Sequence, residues 1–199
     1  MPTISPLLIP LPTELAGPHV CLRPYRREDA ADVWEAVEES RAQLEPWMPW
    51  VYDYQEPDDV RDEMVRAEAR WLLREDLAVG IFERASGRYL GGSGLHRINW
   101  PLRTFEVGYW LRRTAEGHGF ATEAVQILTR LAFDALDANR VEIRVDTRND
   151  RSRRVAERLE FALEGTLRRA AADVNGRPTS IHVFALIPEE YWRLPWAEQ

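Results

Sequence analysis

Residues 105–124 read Phe-Glu-Val-Gly-Tyr-Trp-Leu-Arg-Arg-Thr-Ala-Glu-Gly-His-Gly-Phe-Ala-Thr-Glu-Ala and pass from strand-like through glycine-rich to helical patterning. A strand-like run ends near Leu111, a loop passes through Gly117-His118-Gly119, and a long helix opens at once. That helix, predicted over 118–137, places Ala121, Ala124, Val125, Leu128, Leu131, Ala132 and Ala135 at helical spacing, which marks one buried face. Main-chain N–H groups at a helix start have no partner inside the helix, and glycine lets an anion approach them closely. The loop is therefore a candidate phosphate cradle. Glycine also suits any tight turn, so the loop alone leaves both readings open.

Working outward, residues 77–84, 88–98 and 103–111 form three strand-like runs, with Ala85-Ser86-Gly87 and Trp100-Pro101 as turn signals. Residues 140–146 alternate Val141, Ile143 and Val145 with Glu142, Arg144 and Asp146, the pattern of a half-buried strand. A short helix at 150–159 follows, then strands near 161–171 and 179–187 joined by the hairpin signal Asn175-Gly176. Towards the N-terminus, a strand over 18–25 stops at Pro24, and helices are predicted over 28–43 and 57–75, the second opening on Pro57. Prolines break the stretch from Leu44 to Trp50. The order β-α-α-β-β-β-α-β-α-β-β predicts one mixed α/β domain over 18–190, with an extended arm over 1–17 and a tail over 191–199.

Composition narrows the function. All 26 basic residues are arginine. Without a lysine, a Walker-type phosphate loop, a pyridoxal enzyme and a kinase are excluded. A formal charge of -7 argues against nucleic acid as a partner and mildly favours cationic substrates. Cys21 is alone, and His19, His96, His118 and His182 lie far apart, so no metal site is expected. Pro2, Pro6, Pro10 and Pro12 interrupt the apolar Leu7-Leu8-Ile9. No leader or membrane span is expected, and the location is expected to be cytoplasmic.

Glu116-Gly117-His118-Gly119-Phe120-Ala121 resembles motif A of the GNAT acyltransferase superfamily, Gln/Arg-x-x-Gly-x-Gly/Ala, with Glu116 in place of the usual Gln or Arg. Asn149-Asp150-Arg151-Ser152 is similar to that family's Asn-x-x-Ser. A Gly-Phe step follows in the family; here it reads Glu160-Phe161, after which Glu164-Gly165 again looks like the family. The resemblance spans roughly residues 18–190. Leu44 to Trp50, His96, and Glu106-Val107-Gly108-Tyr109-Trp110-Leu111 look like the RimJ/RimL-like branch, which acetylates ribosomal-protein N-termini. The resemblance implies a GNAT-like fold: a central, mixed, mostly antiparallel sheet of six to seven strands, splayed in the middle and flanked by helices. It also implies acetyl-CoA as co-substrate, no metal, and a primary amine as acceptor. The foremost acceptor is the N-terminal α-amine of a protein or peptide. A free small amine (polyamine, amino acid or antibiotic) is the alternative. A non-catalytic CoA-binding sensor, motivated by Glu116 and Glu160, is a third reading. Homodimers are common in this branch.

Acyl transfer to an amine needs a neutral nucleophile, a stabilised oxyanion and a protonated leaving thiolate. Glu106, beside Gly108 on its strand, is the foremost candidate base, and His96 on the preceding strand is the second. By the resemblance, Ser152 would protonate the thiolate and Asn149 would hold the pantetheine amide. The ordinary alternative is that Asn149 or Asp150 merely caps a helix. Main-chain groups of Tyr109, Trp110 and Leu111 would pair with the pantetheine arm. The loop and helix start, Gly117, His118, Gly119, Phe120, Ala121 and Thr122, would hold the pyrophosphate, with Glu116 turned outward to avoid repelling it. Arg112 and Arg113 are further pyrophosphate candidates, and Arg153 or Arg154 would meet the adenosine 3′-phosphate. Arg148, Arg151, Arg153 and Arg154 equally read as a solvated basic face. Trp47 and Trp50 are candidate walls of the acceptor pocket, or else core between two helices.

Overall fold

The periods of the sequence emerge in the computed structural model, which describes residues 5–197, as eight strands and five α-helices among the described residues. In chain order these are β1 (Leu15–Ala16), β2 (Val20–Pro24), α1 (Ala30–Leu44), α2 (Pro57–Leu73), β3 (Leu77–Glu83), β4 (Tyr89–Asn99), β5 (Thr104–Leu111), α3 (Phe120–Arg130), β6 (Arg140–Asp146), α4 (Asp150–Arg158), β7 (Ala162–Ala172), β8 (Pro178–Leu186) and α5 (Pro188–Tyr191). All strands share one sheet in the order β1-β2-β3-β4-β5-β6-β8-β7. Every neighbouring pair is antiparallel except β5 and β6. The expected mixed, mostly antiparallel sheet is present, with eight strands instead of six to seven. The additional one, β1, has two residues and lies in the expected arm, too short for any period to reveal.

Helices cover both faces. The odd-numbered β5 residues Phe105 and Val107 are buried with Ala124, Val125 and Leu128 of α3 and with Val155 and Ala156 of α4. The even-numbered Trp110 belongs to a second cluster formed by Val33, Ala36 and Val37 of α1, Val60 and Met64 of α2, and the rings of Phe82 and Tyr89. This division follows from the two-residue alternation of a strand. Helix α2 opens as expected on Pro57, with Asp59 Oδ2 accepting from the Glu56 amide at 2.9 Å, and closes on left-handed Arg74. The α3 helix gives way to one wider turn over Leu131–Ala135, and its apolar face continues through Leu131, Ala132 and Phe133.

Both ends are built into the domain. Ile9, Leu11 and Leu15 pack against the larger core, and Tyr191, Leu194 and Ala197 are buried within it. Burying such side chains stabilises a fold by ~1.5–3 kcal/mol for each large one. The stretches read as arm and tail thus contribute to the core; residues 1–4 and 198–199 lie outside the described residues. No helix among the described residues is long and apolar enough to cross a membrane.

Candidate active site

The parallel pairing of β5 with β6 holds only for Thr104–Arg140, Phe105–Val141 and Glu106–Glu142. Beyond Glu106 the strands part. β5 stays with β4 as far as Gly91–Leu111, and β6 stays with β8 as far as Asp146–Ile181. The facing edges of 107–111 and 143–146 therefore lie outside any ladder, leaving main-chain groups along a wedge-shaped slot. Here lie Tyr109, Trp110 and Leu111, whose main chain was expected to receive an extended arm. One acceptor is already engaged: Leu111 O accepts from Gln43 Nε2 at 3.3 Å.

Glu106 sits where the strands begin to part, on the face covered by α1 and α2. Its Oε2 is buried without a hydrogen-bond partner among the described residues, although the Nε atoms of Arg97 and Arg144 lie 3.3 and 3.9 Å away. Burial pushes its carboxyl above the ordinary carboxylate range, against the downward pull of those two arginines. Directly across from Glu106 on β4 is His96. Its ring lies flat on two glycines: an added Cβ would come within 2.7 Å of the ring at Gly94 and 2.9 Å at Gly108. His96 Nδ1 is 2.8 Å from Asp76 Oδ2. The carboxylate thereby favours the tautomer with its proton on Nδ1 and leaves Nε2 as the basic nitrogen. Both candidate bases are thus on one face, and Asp76, which the sequence did not single out, orients one of them.

On the opposite face, Tyr109 reaches across the slot to α4. Its hydroxyl is 2.9 Å from Ser152 Oγ and donates to Ser152 O at 3.1 Å. Burial pushes the phenol up to about 12, against the Ser152 bond, so it stays protonated at neutral pH. Asn149 caps α4, its side chain accepting from the Ser152 amide at 3.0 Å. The capping role is real, and it fixes the main chain at Ser152, whose hydroxyl meets Tyr109.

The loop before α3 has the geometry of a cradle. Gly117 and Gly119 adopt φ of +82° and +86°, which disfavour L side chains, and an added Cβ at either would meet nothing within 4 Å. Among the described residues, none accepts a hydrogen bond from the amides of Gly117, His118 or Gly119. Phe120, the first residue of α3, stacks on His118 at 5.6 Å, followed by half-buried Ala121 and by Thr122, whose Oγ1 accepts from Arg158. Free amides over open space suit a diphosphate.

Glu116 does not turn outward as expected. Its Oε1 accepts from Gln43 Nε2 at 3.1 Å, and its Oε2 accepts from Arg151 of α4. The expectation for Arg112 is also overturned. The residue is 4% exposed, and its side chain donates to Glu39 and Glu35 of α1 and to Tyr89 O, so its donors are committed inside the protein. Arg113 is exposed and has no ion-pair partner among the described residues. In the α4 group, Arg153 is held between Asp150 and Glu157, and Arg148 pairs with Asp146. Exposed Arg154 has no such pairing among the described residues, so of the two 3′-phosphate candidates it is the one not held by a carboxylate.

The end of α1 and the segment after it reach the wide end of the slot. Gln43 is bonded at the end of β5, and the Arg148 guanidinium, just past β6, lies 5.6 Å from the Trp47 ring centre. Trp50 packs on Trp110 and Tyr54, at 5.4 and 5.3 Å between ring centres. Trp47 thus lies beside the residue that follows β6 by two positions, whereas Trp50 extends the aromatic cluster beneath α1 and α2.

Residues 19–162 match the family model described as an acetyltransferase (GNAT) domain. The chain is 28% identical over 174 residues to YdaF of Bacillus subtilis (strain 168), a candidate ribosomal N-acetyltransferase, covering 87% of this chain and 93% of that one. It is also 28% identical over 116 residues, 58% of each chain, to the ribosomal-protein-serine acetyltransferase of Escherichia coli (strain K12). Among solved structures, the RimL ribosomal L7/L12 alpha-N-protein acetyltransferase in complex with coenzyme A superposes with a TM-score of 0.81. That likeness, at 22% identity, covers 87% of this chain and 97% of that one, and it shows the shared fold. The parted strands and the glycine cradle accordingly have a family context: the chain belongs to the GNAT acetyltransferases and is an acetyl-CoA-dependent N-acetyltransferase.

Proposed function

We propose that the protein acetylates the N-terminal α-amine of a protein or peptide, by direct transfer with Glu106 as general base. The carrying observation is the buried Glu106 Oε2, without a hydrogen-bond partner among the described residues, at the point where β5 and β6 part. Acetyl-CoA supplies an acetyl group already activated as a thioester. Glu106 takes the proton of the amine on the α1/α2 face, directly or through a water. Main-chain N–H groups of the parted β5 edge meet the developing oxyanion. The Ser152–Tyr109 hydroxyl pair delivers a proton to the departing sulfur from the other face. Base and acid thus stand on opposite faces of the sheet, which favours transfer over a passive binding role. In this reading Gly117 to Thr122 hold the pyrophosphate with Arg113 beside them, Arg154 meets the 3′-phosphate, and Trp47 walls the acceptor side.

A polypeptide acceptor is supported by the names of the relatives and by the shape of the acceptor side. Helices α1 and α2 pack against β2, β3 and β4, while β7 is exposed along most of its length. An extended segment can therefore approach Glu106 from that side. Incubation with acetyl-CoA and a panel of peptides, polyamines and amino acids, read by thiol release and product mass, tests the assignment. Acetylation confined to peptide α-amines is expected. Preference for free amines would replace the acceptor class, and acetyl-CoA binding without thiol release would establish a sensor.

Two further outcomes are expected. Gly119→Val adds a branched side chain at positive φ over the open cradle, so acetyl-CoA affinity should fall by ~2 kcal/mol, about 30-fold. Unchanged calorimetric affinity in a folded variant would remove the cradle from the reading. Ser152→Ala should lower turnover by roughly 10–100-fold with little change in donor affinity. Tyr109→Phe should do the same, and the double variant should be no worse than the more damaging single one if the hydroxyls act as one relay. Collapse of affinity with intact single-turnover rates would make them binding residues only.

A further inference from the structure

The Glu116 carboxylate stands one residue before the cradle and is held from two sides that differ in kind. Gln43 reaches Oε1 from α1, on the same side of the slot, and is itself anchored to Leu111 O. Arg151 reaches Oε2 from the first turn of α4, on the opposite side. The arginine side chain is 78% exposed and the glutamate side chain 33%. Glu116 is therefore the fixed member of the pair and Arg151 the one free to move. Exposed ion pairs contribute little to stability, so releasing Arg151 costs little. A guanidinium matches phosphate oxygens in paired, charge-assisted hydrogen bonds, and a doubly charged diphosphate attracts it more strongly than one carboxylate.

On the reading that the cradle holds the pyrophosphate of the donor, we infer that Arg151 is a pyrophosphate ligand parked on Glu116, and that Glu116 competes with the donor for it. Swinging from Oε2 towards the amides of Gly117 to Gly119 brings a cation to the part of the cradle next to the Glu116 carboxylate. Gln43 continues to bond the carboxylate that Arg151 leaves. Donor affinity is then set by an exchange between two anions for one arginine, and the acidic residue before the cradle acts as a brake on binding.

The test is calorimetric titration of the full chain with acetyl-CoA and with its 3′-dephospho form. Arg151→Ala should weaken both donors by about tenfold, because the lost contact is to the diphosphate. Glu116→Gln, which still accepts from Gln43, should tighten both by about three- to tenfold, since the competitor is gone. Melting temperatures should stay near that of the unmodified protein, both residues being at the surface. Weakening by Glu116→Gln to the same degree as by Arg151→Ala would overturn the exchange and make the pair a clasp that the donor needs closed. Unchanged affinity in Arg151→Ala, or a loss seen only with the 3′-phosphorylated donor, would also overturn it. Failure of the unmodified chain to bind acetyl-CoA would defeat the cradle reading itself, whereas a null Arg151→Ala beside normal binding defeats only the exchange.

Discussion

Replacing Glu106 with Gln should lower kcat/KM by about 10²–10⁴ while acetyl-CoA binding persists. Glutamine keeps the shape of the side chain and removes its charge and basicity. As the proposed base Glu106 must be ionised, so activity of the unmodified enzyme should fall as pH drops through its raised pKa. That acidic limb should lie above the ordinary carboxylate range and vanish in the Gln variant. Stability should move the other way. A carboxyl whose folded pKa is raised destabilises the fold progressively as pH rises from its unfolded to its folded value, and fully above that. Glu106→Gln should therefore melt higher than the unmodified protein at neutral pH, with the difference shrinking in acid. Loss of activity with a gain in stability is the mark of a functional buried charge. Near-full activity with an unaltered pH profile would make Glu106 a bystander. His96, held by Asp76, would then take the role, and the same measurement on His96→Gln would decide it.

Arg112→Ala should destabilise the protein by about 3 kcal/mol, because removing one partner of a buried pair strands the other charge. In a chain of this length that is a fall in Tm of roughly 6–12 °C. The stranded group is Glu39, whose side chain is 16% exposed. Burial pushes its carboxyl up, but Arg112 and the Thr114 amide reverse the effect and bring it to about 2. A depressed folded pKa contributes stability above the unfolded value of 4.5 that is lost as pH falls towards about 2. The gap between Arg112→Ala and the unmodified protein should narrow through that window. A gap independent of pH would show that Arg112 acts through packing and Tyr89 O and not through its ion pair.

Elements with a clear period were legible in the sequence. The alternation of Val141, Ile143 and Val145, and the α3 stripe of Ala124, Val125 and Leu128, depend on local spacing alone, and both are buried as expected. Arg112 and Arg113 are neighbours of one chemical type, and nothing local indicates that one turns inward to α1 while the other stays exposed. Asp76 was hidden for a different reason. Leu77 opposes Leu95 in the β3–β4 hairpin, but near its turn Phe82 opposes Tyr89, and the register slips between Ile81 and Phe82. That single-residue slip brings Asp76 level with His96, and a hairpin register counted from its turn misses it. The Tyr109–Ser152 pair joins residues 43 apart in sequence, so only the folded chain reveals it.

Two half-sheets meeting at three residue pairs form two stiff leaves on a short hinge pin. In the proposed binding mode, the donor's extended arm lies along the parted edges and is the missing strand as well as a reactant. The released thiol carrier has the same arm, so it keeps the seam filled after the acetyl group has gone. Chemistry changes only the tip of what the leaves grip, and emptying the seat means unzipping it. On the proposed binding mode, the three-pair hinge that admits the donor thus seats the spent carrier by the same contacts.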